Sequence, residues 1–172
     1  MRRDLLAAVA ALSFSWALAA ERPGNYVDWR PGLASSSQPS AAWLREVDPA
    51  QIDLVINLAP PGVHGSIAEE GAIVASRGVK YVNIPVVFSK PTADDFRRFS
   101  ELLATNKDRR VFVHCQVNMR GTAFTFLYRV IHEGADAREA MAKLTSIWVP
   151  DPVWKRFIEE TLAANGRKAE IL

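Results

Sequence analysis

The architecture of this chain can be inferred outward from one segment, Val111-Phe112-Val113-His114-Cys115-Gln116-Val117-Asn118-Met119-Arg120-Gly121. Residues 110–113 predict a buried strand, because β-branched and aromatic side chains follow a charged turn. From Arg120 on, apolar residues recur at helical spacing until Gly134, namely Ala123, Phe124, Leu127, Val130 and Ile131. The only cysteine of the chain, Cys115, therefore lies where a strand ends and a helix is about to begin.

This position favours bound anions and an ionised thiol. Unpaired backbone N–H groups point out of the first helical turn, and the helix dipole adds positive potential. The same field favours a thiolate over a thiol at Cys115. Arg120 follows five positions later with a planar fork of donors suited to an oxyanion. The combination suggests nucleophilic attack on a phosphate or a similar tetrahedral or sulfur-bearing group.

A purely structural interpretation must be weighed against this one. A lone cysteine after an apolar strand also fits a small buried hydrophobe, and an arginine near a helix start fits a surface residue. A structural role, however, needs none of the three polar side chains of His114-Cys115-(four residues)-Arg120 at such a junction. The pattern therefore favours function.

The segment resembles the phosphate-binding loop of the cysteine-dependent protein tyrosine and dual-specificity phosphatases, above all their small bacterial branch. The resemblance runs from about Tyr26 to about Ala163, and three other segments carry it: Ser37-Gln38-Pro39-Ser40, Val55-Ile56-Asn57-Leu58-Ala59-Pro60-Pro61 and Tyr81-Val82-Asn83-Ile84-Pro85-Val86. It implies that Cys115 is the nucleophile that becomes phosphocysteine and that Arg120 clamps the phosphoryl oxygens. It also implies a phosphate-binding loop made of Gln116, Val117, Asn118 and Met119.

The loop departs from the family pattern in length. The phosphatases have five residues between cysteine and arginine, with a glycine in the middle. Here there are four residues, and Asn118 stands where glycine is expected. Asparagine can adopt the left-handed conformation at modest cost, so the loop is feasible. A four-residue gap is also a feature of rhodanese-like sulfurtransferases.

The second departure concerns the general acid. The family places an aspartate in the loop after the Ile-Pro strand, but here that loop begins Val86-Val87-Phe88. Asp94 and Asp95 follow it and are candidate acids, although helix starts favour acidic residues anyway. Asp151 precedes a proline, as an ordinary N-cap does.

Two histidines complete the candidate site. His64 lies in a strand-to-helix loop that should open on the same sheet edge as Cys115; it could donate a proton or be a simple surface histidine. His114 precedes the nucleophile, and the resemblance implies that it holds the loop and tunes the thiolate.

The remaining pattern predicts an α/β fold. Strands predicted at 53–58, 80–86 and 110–113 alternate with helices, which implies a three-layer αβα arrangement around a small, mostly parallel sheet. A short edge strand is predicted near Leu33. Helix starts are predicted at Ser40, Ser66-x-x-Glu69, Thr92-x-x-Asp95, Asp136-x-x-Glu139 and Asp151-Pro152.

The N-terminus predicts export. Residues 1–19 combine Arg2 and Arg3 with an apolar run and the small-x-small sequence Ala17-Leu18-Ala19, as in a signal peptide cleaved near Ala19/Ala20. An uncleaved membrane anchor is the alternative. We expect a phosphatase-like domain at residues 20–172, located in the periplasm or secreted, without a membrane span in the mature chain.

Composition narrows the function further. A net charge of +2 without a basic run gives no reason to expect nucleic acid, and the three histidines show no metal-ligand spacing, so we expect no metal or other cofactor. The predicted function is phosphoester hydrolysis, with a phosphorylated protein or a small phosphoester as substrate. A sulfurtransferase-like enzyme and a non-catalytic anion-binding module are the alternatives. The sequence does not determine the oligomeric state.

Overall fold

The structure, a computed structural model, describes residues 21–168; the predicted signal peptide lies outside them. The described part contains five strands and six helices. They are β1 (Val27–Arg30), β2 (Leu33–Ser36), α1 (Ala41–Arg45), β3 (Leu54–Asn57), α2 (Glu70–Ser76), β4 (Lys80–Asn83), α3 (Ala93–Thr105), β5 (Val111–His114), α4 (Met119–His132), α5 (Ala137–Thr145) and α6 (Pro152–Ala164).

The strands form one sheet in the order β1-β2-β5-β3-β4. β1 pairs with β2 in antiparallel fashion, and the other three pairings are parallel. This confirms the predicted α/β class. The strand predicted near Leu33 is β2, but it is not at the edge of the sheet, because β1 pairs along its outer side. β5, which ends just before Cys115, is the central strand.

The sheet is covered by helices on both faces because its strands alternate their side chains. Leu54 and Ile56 of β3 belong to the larger hydrophobic core, which also contains residues of α3, α4, α5 and α6. Val55 of β3 and Phe112 of β5 belong to a second core, together with Leu44 of α1 and Val74 of α2. Successive residues of a strand point to opposite faces, so a strand buried on both faces is apolar throughout.

Most predicted helix starts are confirmed. Thr92 and Asp95 form a complete capping box at α3, and the side chains of Ser40, Asp136 and Asp151 cap α1, α5 and α6. Pro152 is the first residue of α6, where its missing N–H costs nothing.

The capping box predicted at Ser66 and Glu69 is wrong. α2 begins at Glu70, and the side chain of Glu69 makes no capping hydrogen bond. The Ser66 N–H instead donates to Val63 O at 2.9 Å, within a series of turns. Gly62 and Gly65 adopt positive φ angles of 77° and 82° there, which a helix does not accommodate.

Within residues 21–168, no helix is both long enough and apolar enough to cross a membrane.

Candidate active site

The carboxyl ends of three parallel strands bring polar residues to one edge of the sheet. His114 at the end of β5 is in register with Ser36 of β2 on one side and with Asn57 of β3 on the other. The chain then leaves β5 at Cys115, whose N–H donates to Ser36 O at 3.3 Å. This is the edge where ligands bind in open α/β sheets. The sequence prediction for the position of Cys115 is therefore confirmed.

The loop of residues 115–120 turns at Asn118. This residue has φ 68° and ψ 7°, in the left-handed region, and it is the N-cap residue of α4. Asparagine thus adopts the conformation expected where the related loops have glycine. The Asn118 carbonyl accepts the Thr122 N–H at 2.9 Å, so α4 starts immediately after the turn.

Hydrogen bonds with Asn25, which precedes β1, and with Gln38, which follows β2, hold the loop in place. The Asn118 side-chain amide donates to Asn25 O at 2.6 Å, and the Asn25 side-chain amide donates to Val117 O at 3.1 Å. The Gln38 N–H donates to Gln116 O at 3.1 Å. Sequence reasoning missed Asn25, because nothing in the local pattern indicates that residues 92 positions apart along the chain will pair.

Gly121 is required by the same turn. A Cβ atom at this position would lie 2.4 Å from the side-chain oxygen of Asn118. Any larger residue would therefore force the Asn118 side chain to shift.

Part of the Arg120 guanidinium group is held by the main chain of Val86. It is 5% exposed, and its Nε donates to Val86 O at 2.8 Å. One terminal nitrogen lies 3.5 Å from the side-chain oxygen of Gln116, at the outer limit of a hydrogen bond. The guanidinium carbon lies 5.2 Å from the centre of the Phe88 ring. The segment after β4 thus supports the arginine.

The aromatic residue beside Arg120 connects the loop to the end of the chain. Phe88 lies 5.8 Å from Trp148 and 5.4 Å from Trp154 between ring centres. Trp154 donates from its indole nitrogen to Phe88 O at 2.9 Å. Trp148 donates to the hydroxyl of Thr122 at 3.1 Å, in the first turns of α4.

The exposure of the loop is uneven. Cys115 has no exposed surface, whereas Val117 is 45% exposed. Met119 is partly buried against the larger core. The Gln116 side chain reaches across to His64 and donates to its backbone carbonyl at 3.1 Å. The His64 loop therefore lies beside the candidate site, as predicted, with its main chain making the contact.

His114 is paired with a residue that sequence reasoning missed. Its Nε2 lies 3.0 Å from a carboxylate oxygen of Glu70, and both side chains are buried. Burial alone would raise the pKa of Glu70, but His114, Gln38 and Tyr81 outweigh it, so the pKa lies below its usual range. The available signal was the position of Glu70 at a helix start beyond the same sheet edge.

The two candidate acids lie on α3. The Asp95 carboxylate accepts from the Thr92 N–H at 3.2 Å and from the Thr92 hydroxyl at 2.7 Å, while Asp94 pairs with Arg97. Phe96, the residue after Asp95, packs on two side chains of α4. Phe124 lies one turn from Arg120, and His132 lies more than three turns from it. The structure thus gives both carboxylates partners on their own helix. Their role as acids stays a prediction.

Within residues 21–168, no group of three or more histidine, cysteine or acidic side chains is arranged to hold a metal ion.

Comparison with models of known families gives no match, and neither does comparison with curated protein sequences. Solved structures do match. A protein of Shewanella putrefaciens described as a candidate phosphatase (DUF442) is 28% identical, with a TM-score of 0.75 over 83% of this chain and 94% of that one. The catalytic core of the PP-IP phosphatase Siw14 from S. cerevisiae is 13% identical, with a TM-score of 0.67 over 81% and 86%.

TpbA from P. aeruginosa is 17% identical, with a TM-score of 0.63 over 89% of this chain and 99% of that one. The likeness to Siw14 and to TpbA, at 13% and 17% identity, establishes the fold alone. The resemblance to the cysteine-dependent phosphatases seen in the sequence is therefore confirmed in the fold, which this chain shares with structures described as phosphatases.

Proposed function

We propose that this chain, which has the fold of the cysteine-dependent phosphatases, is an exported enzyme that hydrolyses a phosphoester through a phosphocysteine intermediate. The observation that supports this most is the loop itself. Cys115 leaves the central strand at the ligand-binding edge, Asn118 makes the left-handed turn, and Arg120 follows in the first turn of α4. The export part of the proposal depends on residues 1–19.

The reaction proceeds in two transfers. In the first, the Cys115 sulfur attacks phosphorus, the P–S bond forms and the bond to the leaving oxygen breaks. The terminal N–H groups of Arg120 and the loop N–H groups bind the non-bridging oxygens as charge builds on them. In the second, water attacks phosphorus, the P–S bond breaks and inorganic phosphate leaves with the thiolate restored. The leaving oxygen gains one proton and the attacking water loses one.

The surroundings of the loop favour an aryl phosphoester. Val87, Val117, Val149 and Val153 are exposed apolar side chains. Val117 belongs to the loop, and the other three are next in sequence to Phe88, Trp148 and Trp154. Exposed apolar side chains in and near the loop suit an apolar leaving group. A phenol, with a pKa of about 10, leaves more readily without a proton than an alcohol does. We therefore expect preference for phosphotyrosine or another aryl phosphate over phosphoserine.

Two alternatives each have one observation in their favour. The four-residue gap between Cys115 and Arg120 favours a sulfurtransferase-like reaction, in which thiosulfate and cyanide would yield thiocyanate. The complete burial of Cys115 favours a non-catalytic anion-binding module.

One experiment distinguishes the three functions. Purified protein of residues 20–172 is assayed with 4-nitrophenyl phosphate, with phosphotyrosine and phosphoserine peptides, and with thiosulfate plus cyanide. We expect phosphate release from the two aryl phosphates, loss of turnover in Cys115→Ser, and vanadate binding kept in that variant. Wild-type turnover in Cys115→Ser would refute the phosphocysteine. Thiocyanate formation alone would assign the sulfurtransferase, and vanadate binding without any turnover would assign the binding module.

A further inference from the structure

A carboxylate is buried against His114, the residue before the candidate nucleophile. Glu70, the first residue of α2, is only 2% exposed. Glutamate is almost never fully buried unless its charge is paired, because removing a carboxylate from water is costly. Glu69 beside it is exposed. The burial of Glu70 therefore needs an explanation in the groups that face it.

Four side chains from four segments face this carboxylate. One oxygen accepts from the Gln38 amide at 3.0 Å and lies 3.0 Å from His114 Nε2. The other accepts from the Asn57 amide at 2.9 Å and from the Tyr81 hydroxyl at 3.3 Å. Gln38 follows β2, Asn57 ends β3, Tyr81 lies in β4 and His114 ends β5. One carboxylate thus gathers the polar groups of the whole ligand-binding edge.

Within this cluster, the Tyr81 phenol is neutral and the Glu70 carboxylate is ionised. Burial raises the pKa of Tyr81 to about 12, and the Glu70 carboxylate adds to the effect, so the phenol stays neutral. The pKa of Glu70 itself is lowered by its partners despite its burial. An ionised carboxylate 3.0 Å from Nε2 of His114 favours a proton on that nitrogen. The side chain next to Cys115 in the sequence therefore faces a buried negative charge.

We propose that Glu70 is a positioning residue for the proposed phosphatase reaction: it acts through His114, keeps Nε2 of that ring protonated, and fixes the strand end from which Cys115 projects. This inference rests on the proposed function for its effect on turnover. Its structural part, the protonated Nε2, is independent of turnover. Glu70 touches neither Cys115 nor Arg120 in the contacts described. His114 is its partner next to the nucleophile, and Gln38 also connects it to Gln116 of the loop.

The kinetic test compares Glu70→Gln with Glu69→Gln, a matched change at the neighbouring exposed position. We expect kcat/KM for 4-nitrophenyl phosphate to fall at least about tenfold in Glu70→Gln, as for other side chains that orient a reacting residue. The Glu69→Gln variant should stay within about twofold of wild type. The acidic limb of the pH profile should move in Glu70→Gln alone, because only that variant removes the buried charge.

A double-mutant cycle tests whether Glu70 acts through His114. If it does, Glu70→Gln combined with His114→Asn should be no slower than His114→Asn alone. Additive losses, or an unchanged rate and pH profile in a folded Glu70→Gln protein, would overturn the proposal.

A measurement on the wild-type protein covers the case in which Glu70→Gln does not fold. Long-range ¹H–¹⁵N NMR of the imidazole, assigned by the signal missing in His114→Asn, reports the protonation of each ring nitrogen. We expect Nε2 to carry a proton across about pH 6 to 8. An unprotonated Nε2 would refute the role of Glu70. A protonated Nε2 in a protein without phosphatase activity would instead refute the proposed function and leave the pairing supported.

Discussion

A substitution at Arg120 can separate the effect of its positive charge from the effect of its guanidinium geometry. Its Nε is already engaged with Val86 O at 2.8 Å, so only its other N–H groups are left to bind an oxyanion. Lysine keeps the charge but cannot do both, because it has no fork. We predict that Arg120→Lys lowers kcat/KM for aryl phosphate at least about a hundredfold, roughly 2.7 kcal/mol of transition-state stabilisation.

Steady-state kinetics and vanadate titration check this prediction. Arg97→Lys is the control, since Arg97 is an exposed arginine paired with Asp94 and Glu101 on α3. Equal rates and equal vanadate affinities in wild type and Arg120→Lys would mean that the loop is not a phosphate cradle.

Gly121 and Asn118 should be coupled. An added Cβ at position 121 meets the Asn118 side-chain oxygen at 2.4 Å, so Gly121→Ala must displace the Asn118 side chain, and we expect the loop to move with it. We predict that Gly121→Ala lowers turnover by more than about tenfold, because small misplacements of a reacting group are costly. Adding Asn118→Gly should restore much of the loss, since glycine adopts positive φ freely and removes the clash.

Kinetics of the two single variants and the double variant test that coupling. A double variant as slow as Gly121→Ala would show that the clash with Asn118 is not the cause.

At the scale of one helix, the start of α3 explains Asp95 without catalysis. The capping box joins Asp95 and Thr92 through both side chains. We predict that Asp95→Asn lowers the free energy of unfolding by about 0.5–1.5 kcal/mol and leaves aryl phosphate turnover unchanged. Denaturant titration and kinetics on the same samples measure both effects.

Asp94→Asn is the matched change at an exposed position on the same turn. If Asp95→Asn instead slowed hydrolysis of a poor leaving group by about a hundredfold or more, with little effect on a good one, Asp95 would be the general acid after all.

At the scale of paired strands, Asp53 and Arg110 join the starts of β3 and β5. The Asp53 carboxylate accepts from the Arg110 N–H and from Nε, both at 2.8 Å, and from a terminal nitrogen at 2.8 Å. These hydrogen bonds hold the pKa of Asp53 well below its usual range. A lowered pKa in the folded state means that the stabilisation is full above the unfolded value of about 3.9 and is lost as pH falls below it.

We therefore predict that Asp53→Asn is less stable than wild type at neutral pH and that the difference shrinks below about pH 4. Urea unfolding of both proteins at several pH values measures this. Asp28→Asn serves as control, because Asp28 is an exposed partner of Arg22. A difference that is independent of pH would mean that the charge of Asp53 does not contribute.

At the scale of the whole molecule, the untested prediction is export. The exported protein should begin near Ala20, because residues 1–19 have the charged start, apolar run and small-residue site of a signal peptide. N-terminal sequencing of protein recovered from the periplasm or the medium tests this. An intact Met1 on that protein would favour the membrane-anchor alternative.

Local patterns in the sequence were enough for the elements and for the core of the site. Alternating strands and helices predicted the sheet, and Thr92, Asp136 and Asp151 marked helix starts that the structure confirms. The position of Cys115 between a strand and a helix also followed from neighbouring residues. These predictions succeed because burial periodicity and capping involve groups within a few positions of each other.

Only the tertiary structure decided what surrounds the loop. Asn118 is hydrogen-bonded to Asn25, 93 positions away, and Arg120 is hydrogen-bonded to Val86, 34 positions away. His114 contacts Glu70, 44 positions away. The start of α2 at Glu70 was likewise mispredicted, and that start places the carboxylate. Such pairings depend on the order of strands in the sheet, because parallel strands bring distant residues to one edge, and no local period encodes that order.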